Sequence, residues 1–316
     1  MSSSPKRYDR SGFTVVETLV SIAVIGLLIA ILMPAVQSSR QAAARMTCQS
    51  RLRQVVLAAH MYEEAFKVFP QADRPFVALL PFLEQSDLHQ KLVVYEPASP
   101  NVETYLCPSD PRGDLSQGQV SYFINDGSGW AARLPPDYNI VQLDGSRPSF
   151  TSRSRLSDFT DGTSQTAFYS ERKIFPSNDT NPPTEQMAQA EPNRYMWYVD
   201  LHYPIPSELD QFREACRMRR TNATPHVGMQ TQFMFQQGVG YNHALTPNSP
   251  GCHNNTSADF ELSDSFYSLR PASSYHPGVV SVAFVDGHVR FVSDNVDSSV
   301  WTAISTRKGA DNVGDF

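Results

Sequence analysis

Nineteen consecutive residues, Thr18 to Val36, carry no charge, and leucine, isoleucine and valine dominate them. As a helix, a run of that length crosses the roughly 30 Å hydrocarbon core of a bilayer. A secretory signal peptide has a shorter apolar region. Beyond the run, Gln37-Ser38-Ser39-Arg40-Gln41-Ala42-Ala43-Ala44-Arg45 is built of good helix formers, so the helix is expected to continue. Ala42, Met46, Leu52, Val56, Ala59, Tyr62 and Phe66 recur at spacings of three, four or six and predict one apolar stripe along that continuation. Arg45, Arg51, Arg53 and Glu63 fall to the other faces. Pro34 predicts a kink, and Pro70 marks the end. Phe13 to Phe66 would span roughly 80 Å if helical throughout. Charge does not orient the segment. Lys6, Arg7 and Arg10 precede it, while Arg40, Arg45, Arg51 and Arg53 follow, so the positive-inside count is indecisive.

The remainder of the 316 residues is long enough for one large or two small domains. A net charge of −6 argues against a nucleic-acid platform, which carries a basic stripe. The 23 prolines, spread through the middle, favour loops and short strands over long helices. The four cysteines, Cys48, Cys107, Cys216 and Cys252, form no C-x-x-C pair, which speaks against a zinc ribbon or a thioredoxin-type site. They suit either free thiols or two disulfides, depending on the side of the membrane they occupy.

Glu17 is a carboxylate at the edge of a lipid-compatible run, and such a group needs a partner. It closes the stretch Ser11-Gly12-Phe13-Thr14-Val15-Val16-Glu17, which follows a short basic leader. This pattern resembles the processing site of type IV prepilins and type II secretion pseudopilins. The resemblance implies a leader at 1–12, cleavage by a prepilin peptidase between Gly12 and Phe13, and N-methylation of Phe13 by the same membrane enzyme. It also implies a membrane half-helix at 13–36, an amphipathic stem at 37–69 and a head at 70–316. The new amine of Phe13 would stay charged, and Glu17 of one subunit could pair with that amine on a sister subunit in low dielectric. The competing view is an ordinary single-pass anchor with an incidental edge glutamate.

Further blocks extend the likeness: RLRQVVLAAHMYEEAFKVFP (51–70), ALLPFLEQSDLHQKL (78–92), TYLCPSDPRG (104–113), SDFTDGTSQTAFYSE (157–171) and SYHPGVVSVAFVDGHVRF (274–291). They are similar to successive blocks of a large bacterial family that joins a prepilin-type N-terminus to a domain of unknown function. That family ends in a signature of His, nine residues, then Asp-Gly, here His276 to Asp286-Gly287. No enzymatic activity comes with it.

Read from the residues, these blocks are scaffold, and the fold class expected is α+β: a long N-terminal helix and a β-rich head with an antiparallel sheet. Residues 77–92 read as short helices around Pro81. Asp161-Gly162 is a turn before a β-rich run, and Met196-Trp197-Tyr198-Val199 is a buried strand. Residues 175–194 and 217–225 read as surface loops. Residues 279–292 form a hairpin in which Asp286-Gly287 makes a two-residue type I′ turn, pairing Val285 with His288 and Ala283 with Arg290. His276 then lies about 30 Å from the turn, so a metal site built from His276 and Asp286 is not expected. His276 reads as a hydrogen-bonded residue leading into the strand. Asp294-Asn295-Val296-Asp297 lacks the alternation and distal Glu of a calcium loop. The sequence assigns no metal and no cofactor. Four cysteines allow three pairings. Among them, Cys48–Cys107 would staple stem to head and Cys216–Cys252 would close a polar loop.

Three functions remain. The first is a pseudopilin-like structural subunit, single-pass in an inner membrane, its head extracytoplasmic in the periplasm or at the cell surface. Its partners would be the peptidase, membrane lipid and sister subunits of a type II secretion or pilus-like assembly. The chain has no G-x-x-x-x-G-K-[ST] loop, so an assembly ATPase would be a separate protein. The second is a membrane-tethered binding module, for example for envelope polysaccharide, using Trp130, Trp197, Tyr198, Tyr203 and Tyr241 as a stacking platform. The third is a surface hydrolase, for which no G-x-S-x-G or H-E-x-x-H motif appears.

Overall fold

The computed structural model describes residues 14–70, 74–93, 101–111, 118–129, 131–133, 145, 154–174, 185–194, 196–199, 209–218, 240–253 and 266–309. Helix α1 runs from Val15 to Phe66, 52 residues with Pro34 inside. The chain divides into two units, Met1–Ala44 and Arg45–Phe316. In the first, every large apolar side chain of α1 is exposed, and the helix is long and apolar enough to cross a membrane.

In the second unit the remainder of α1 buries Cys48, Leu52, Val55, Val56, Ala58 and Ala59. The expected stripe is out of phase at its start. Met46 is 69 % exposed, because the six-residue step to Leu52 rotates the helix by about 240° and leaves the two on different faces. Phe66, at the helix end, is exposed as well.

The stem shares one core with a five-stranded sheet made of β1 (Tyr122–Asn125), β3 (Ala167–Glu171), β5 (Gly240–Tyr241), β8 (Val279–Phe284) and β9 (Val289–Ser293), in the order β5-β1-β3-β8-β9. Polar latches fix the stem's position there. Tyr122 Oη donates to the Cys48 carbonyl at 2.9 Å, Gln49 Nε2 to the Val289 carbonyl at 3.0 Å, and Arg51 Nη1 to the Leu106 carbonyl at 2.8 Å. A second sheet orders β2 (Ala131–Arg133), β7 (Phe266–Leu269), β6 (Gly251–His253) and β4 (Met196–Tyr198) as β2-β7-β6-β4. Each sheet is mixed rather than wholly antiparallel: β1 pairs with β5, and β4 with β6, in parallel.

β3 is buried along its whole length and β8 in all but its first residue. Both faces are covered, so small Ser281 and Ala283 fill one side while Val280, Val282 and Phe284 fill the other. The hairpin from β8 to β9 differs from expectation by one residue. Ala283 pairs with Val289, not Arg290. Phe284 N–H donates to the His288 carbonyl, and Gly287 N–H donates back to the Phe284 carbonyl at 3.0 Å. The loop is therefore Val285-Asp286-Gly287, a three-residue turn with Gly287 at φ 94°, and not a two-residue type I′ turn.

Short helices complete the unit. Pro75–Leu79 (α2), a 3₁₀ turn at Leu80–Leu83 and Ser86–Val93 (α3) match the expected breaks around Pro81. Glu185–Ala190 (α4) is helical inside the segment that reads as a long loop. Leu209–Met218 (α5) takes in Arg217, which the sequence reading puts in a polar loop; it buries Phe212 and Cys216 on one face. Residues 219–225 of that loop lie outside the described residues. Ser298–Ala303 (α6) is capped by Asp297, whose carboxylate accepts from the backbone N–H of Ser299 and Val300. Trp197, Val199, Phe212, Cys216 and Cys252 contribute to a second, smaller core.

Candidate functional site

Gly12 and Phe13 lie outside the described residues. Helix α1 opens just after them, and the local sequence explains how. Thr14 precedes the first helical residue and Glu17 follows three positions later, the spacing of a capping box. Glu17 Oε2 accepts from Thr14 N–H at 2.8 Å and from Thr14 Oγ1 at 2.8 Å. In return Glu17 N–H donates to Thr14 Oγ1 at 3.3 Å. A free helix N-terminus carries unpaired donors and a positive partial charge, and the carboxylate answers both. Glu17 thus has a local partner within its own chain, which the sequence reading missed although Thr-x-x-Glu signals it.

The blocks 104–113, 157–171 and 274–291 are far apart in sequence, yet they meet at one buried polar region beside the stem. Cys48 of α1 is bonded to Cys107. Against this disulfide lie Glu171, the last residue of β3, and His276, three residues before β8. His276 Nε2 is 3.8 Å from Cys107 Sγ and 3.4 Å from Glu171 Oε1. Glu171 Oε2 accepts from Ser281 N–H at 2.9 Å. His276 N–H donates to Ser274 Oγ at 3.0 Å, which fits a residue held by hydrogen bonds at the strand's start.

Next to it, Asp110 Oδ2 accepts from Ile174 N–H at 2.7 Å. Burial pushes the Asp110 carboxyl up to about 7, and the Ile174 N–H bond and the Arg194 and Lys173 charges oppose that only in part. Lys173 donates to Asn193 Oδ1 at 2.8 Å and sits 4.3 Å from the centre of the Tyr275 ring. Tyr275 Oη donates to Glu191 Oε2, which also pairs with Arg194 at 3.0 Å. Asp110 and Glu171 were not singled out from sequence. The available signal was a carboxylate closing an otherwise uncharged strand, Ala167-Phe168-Tyr169-Ser170-Glu171.

His276 and Asp286 serve different places. Asp286 Oδ1 accepts from His288 N–H at 3.1 Å and from His288 Nδ1 at 2.6 Å, closing the turn, while the His288 ring stacks on Phe284 at 4.4 Å. Asp294 Oδ1 accepts from Asn248 Nδ2 at 2.6 Å and Asp297 caps α6, so the acidic stretch 294–297 is engaged in structure. Of the aromatic platform, Trp197 and Tyr241 are buried, and Trp130 and Tyr203 lie outside the described residues. Cys216 is bonded to Cys252, tying α5 to β6. Beside α5, Asp210, Arg213, Glu214 and Arg217 line one side of an open polar cleft of about 630 Å³; His243, Trp301 and Thr302 line another.

Residues 37–299 match the family described as "Protein of unknown function (DUF1559)". The chain belongs to that family. Residues 7–33 match the prokaryotic N-terminal methylation motif, so the two matches run nearly end to end. No curated protein and no solved structure shows significant similarity to the chain. A methylation motif leading into a single apolar helix and a mixed α and β head makes this a prepilin-like, membrane-anchored DUF1559 protein, processed by a prepilin peptidase.

Proposed function

We propose that this DUF1559 protein is a pilin-like structural subunit. It is cut between Gly12 and Phe13, methylated on Phe13, and held in the inner membrane with its head extracytoplasmic. There it packs with sister subunits into a type II secretion or pilus-like assembly driven by a separate ATPase. The observation that carries the reading is the methylation motif at 7–33 running directly into an apolar helix with Glu17 in its first turn. The stem adds support. Met46, Leu57 and Met61 are 69 %, 52 % and 50 % exposed, and spacings of eleven and four put them on one face, opposite the face buried in the head. A second apolar face on a helix already docked along its first suits packing against a like helix.

In this reading Glu17 serves twice. Before assembly its carboxylate caps its own helix through Thr14. In the assembly it meets the methylated amine of a neighbour's Phe13. The test is intact-mass and N-terminal analysis of protein from the native membrane. A mature chain starting at methylated Phe13 is expected; an intact Met1 or Ser2 start with the peptidase present would overturn the reading. For the binding-module alternative, Trp197 and Tyr241 are committed to packing, and the open cleft beside α5 offers a further surface.

A further inference from the structure

Four side chains from four separate segments converge on one point. One ligand-type atom each from Cys48, Cys107, Glu171 and His276 lies within 4.8 Å of all the others. All four residues are buried, Glu171 at 2 % and His276 at 3 % exposure. Glu171 Oε1 accepts no hydrogen bond, although Oε2 is satisfied by Ser281. A buried carboxylate oxygen without a donor is costly and calls for a charged or polar occupant opposite it. What faces it is the His276 ring nitrogen and, beyond that, sulfur.

Two of the six ligand–ligand separations match a coordination shell, and the rest lie within 4.8 Å. A tetrahedral site with nitrogen, oxygen and sulfur ligands at about 2.0–2.3 Å holds its ligand atoms about 3.3–3.8 Å apart. The Nε2–Oε1 separation is 3.4 Å and the Nε2–Sγ separation to Cys107 is 3.8 Å. The Cys48–Cys107 edge differs, because the two sulfurs are covalently bonded. Breaking that bond frees both sulfurs to part to about 3.8 Å, the sulfur–sulfur edge of such a site.

We propose that the reduced form of this disulfide is a tetrahedral site for a zinc-class divalent cation. Its ligands are Cys48 Sγ, Cys107 Sγ, Glu171 Oε1 and His276 Nε2, so the disulfide and the cation are alternative occupants. A dithiol donor reduces the bond by thiol–disulfide exchange: the donor leaves as its own disulfide, and its two electrons and two protons pass to Cys48 and Cys107. The cation then displaces both thiol protons. A disulfide oxidant reverses this, taking two electrons from the sulfurs, re-forming the S–S bond and releasing the cation. The stem is thereby fastened to the head in either state, by a covalent bond or by a metal.

The test uses the full chain in detergent, reduced with a phosphine under inert gas and titrated with Co²⁺. One Co²⁺ per folded chain is expected, with thiolate-to-cobalt charge-transfer and tetrahedral ligand-field bands that Zn²⁺ abolishes. The oxidised chain gives no such bands. His276→Gln and Glu171→Gln each weaken Co²⁺ binding by at least about tenfold. Cys48→Ser/Cys107→Ser removes the bands, whereas Cys216→Ser/Cys252→Ser leaves them unchanged. Three results each overturn the proposal. One is a reduced, folded chain without the bands. Another is an affinity indifferent to both His276→Gln and Glu171→Gln. The third is a reduced chain whose near-ultraviolet dichroism collapses and is not restored by Co²⁺ or Zn²⁺.

Discussion

His243 shows how far burial governs a single side chain in this head. Its ring stacks on Trp301 at 3.9 Å, its Nδ1–H donates to the Trp301 carbonyl at 2.7 Å, and Nε2 accepts from Tyr241 Oη at 3.1 Å. Burial holds its pKa down at about 3. The unfolded chain takes up that proton near pH 6.5, the native one only near pH 3. His243 therefore leaves stability intact above about pH 6.5 and erodes it as pH falls, by up to about 1.4 kcal/mol per unit. Its imidazole resonances should show no titration between about pH 8 and pH 4; a midpoint near pH 6.5 would contradict this. Asp110 has the opposite sign. Its carboxyl is raised from 3.8 to about 7, so its contribution is full below pH 3.8 and declines as pH rises through 7. Neither shift was legible in the sequence, where His243 sits in a run of mixed polarity between Asn242 and Ala244.

Among the elements, α1 was the most legible and β8–β9 the most instructive. Length and apolarity declare α1, but only packing assigns its faces. Leu52 is fully buried and Met46 69 % exposed, although both read as positions of one apolar stripe. Leu52→Ala should cost about 2–5 kcal/mol in chemical denaturation. Met61→Gln should leave stability within about 0.5 kcal/mol and instead reduce cross-linking to sister subunits. The hairpin's strands follow from alternation and Asp-Gly, yet the register slipped by one because Asp-Gly serves three-residue turns with a bulge as well as type I′ turns. Which turn forms is decided by what docks on it. Asp286 N–H donates to the Thr163 carbonyl and Val285 N–H to the Thr166 carbonyl. At Gly287, φ is 94° and a Cβ would meet nothing within 4 Å, so the cost of substitution is backbone strain alone. Gly287→Ala should destabilise by about 1–2 kcal/mol, measured by thermal unfolding; no change would argue against the positive φ.

For the whole molecule, the decisive prediction concerns assembly. Glu17→Ala should still be processed at Gly12 while failing to enter assemblies, scored by mass and by co-fractionation of subunits; normal assembly would remove the proposed charge pair. The N-terminal motif, the apolar span and the α+β character were determined by the sequence alone, because each is local. A membrane span is a count of uncharged residues, the N-terminal motif is a short fixed spacing from Gly12 and Phe13 to Glu17, and helix or strand periodicity is read within a dozen residues. The site at Cys48, Cys107, Glu171 and His276 was decided only by tertiary structure. Its members lie 59, 64 and 105 positions apart along the chain, and three cysteine pairings were equally open to spacing. What selects one pairing is the docking of the stem face that carries Leu52 and Val56 onto the β1–β3–β8 sheet, which brings Cys48 to Cys107. Burial of Glu171 and His276 beside that bond follows from the same packing.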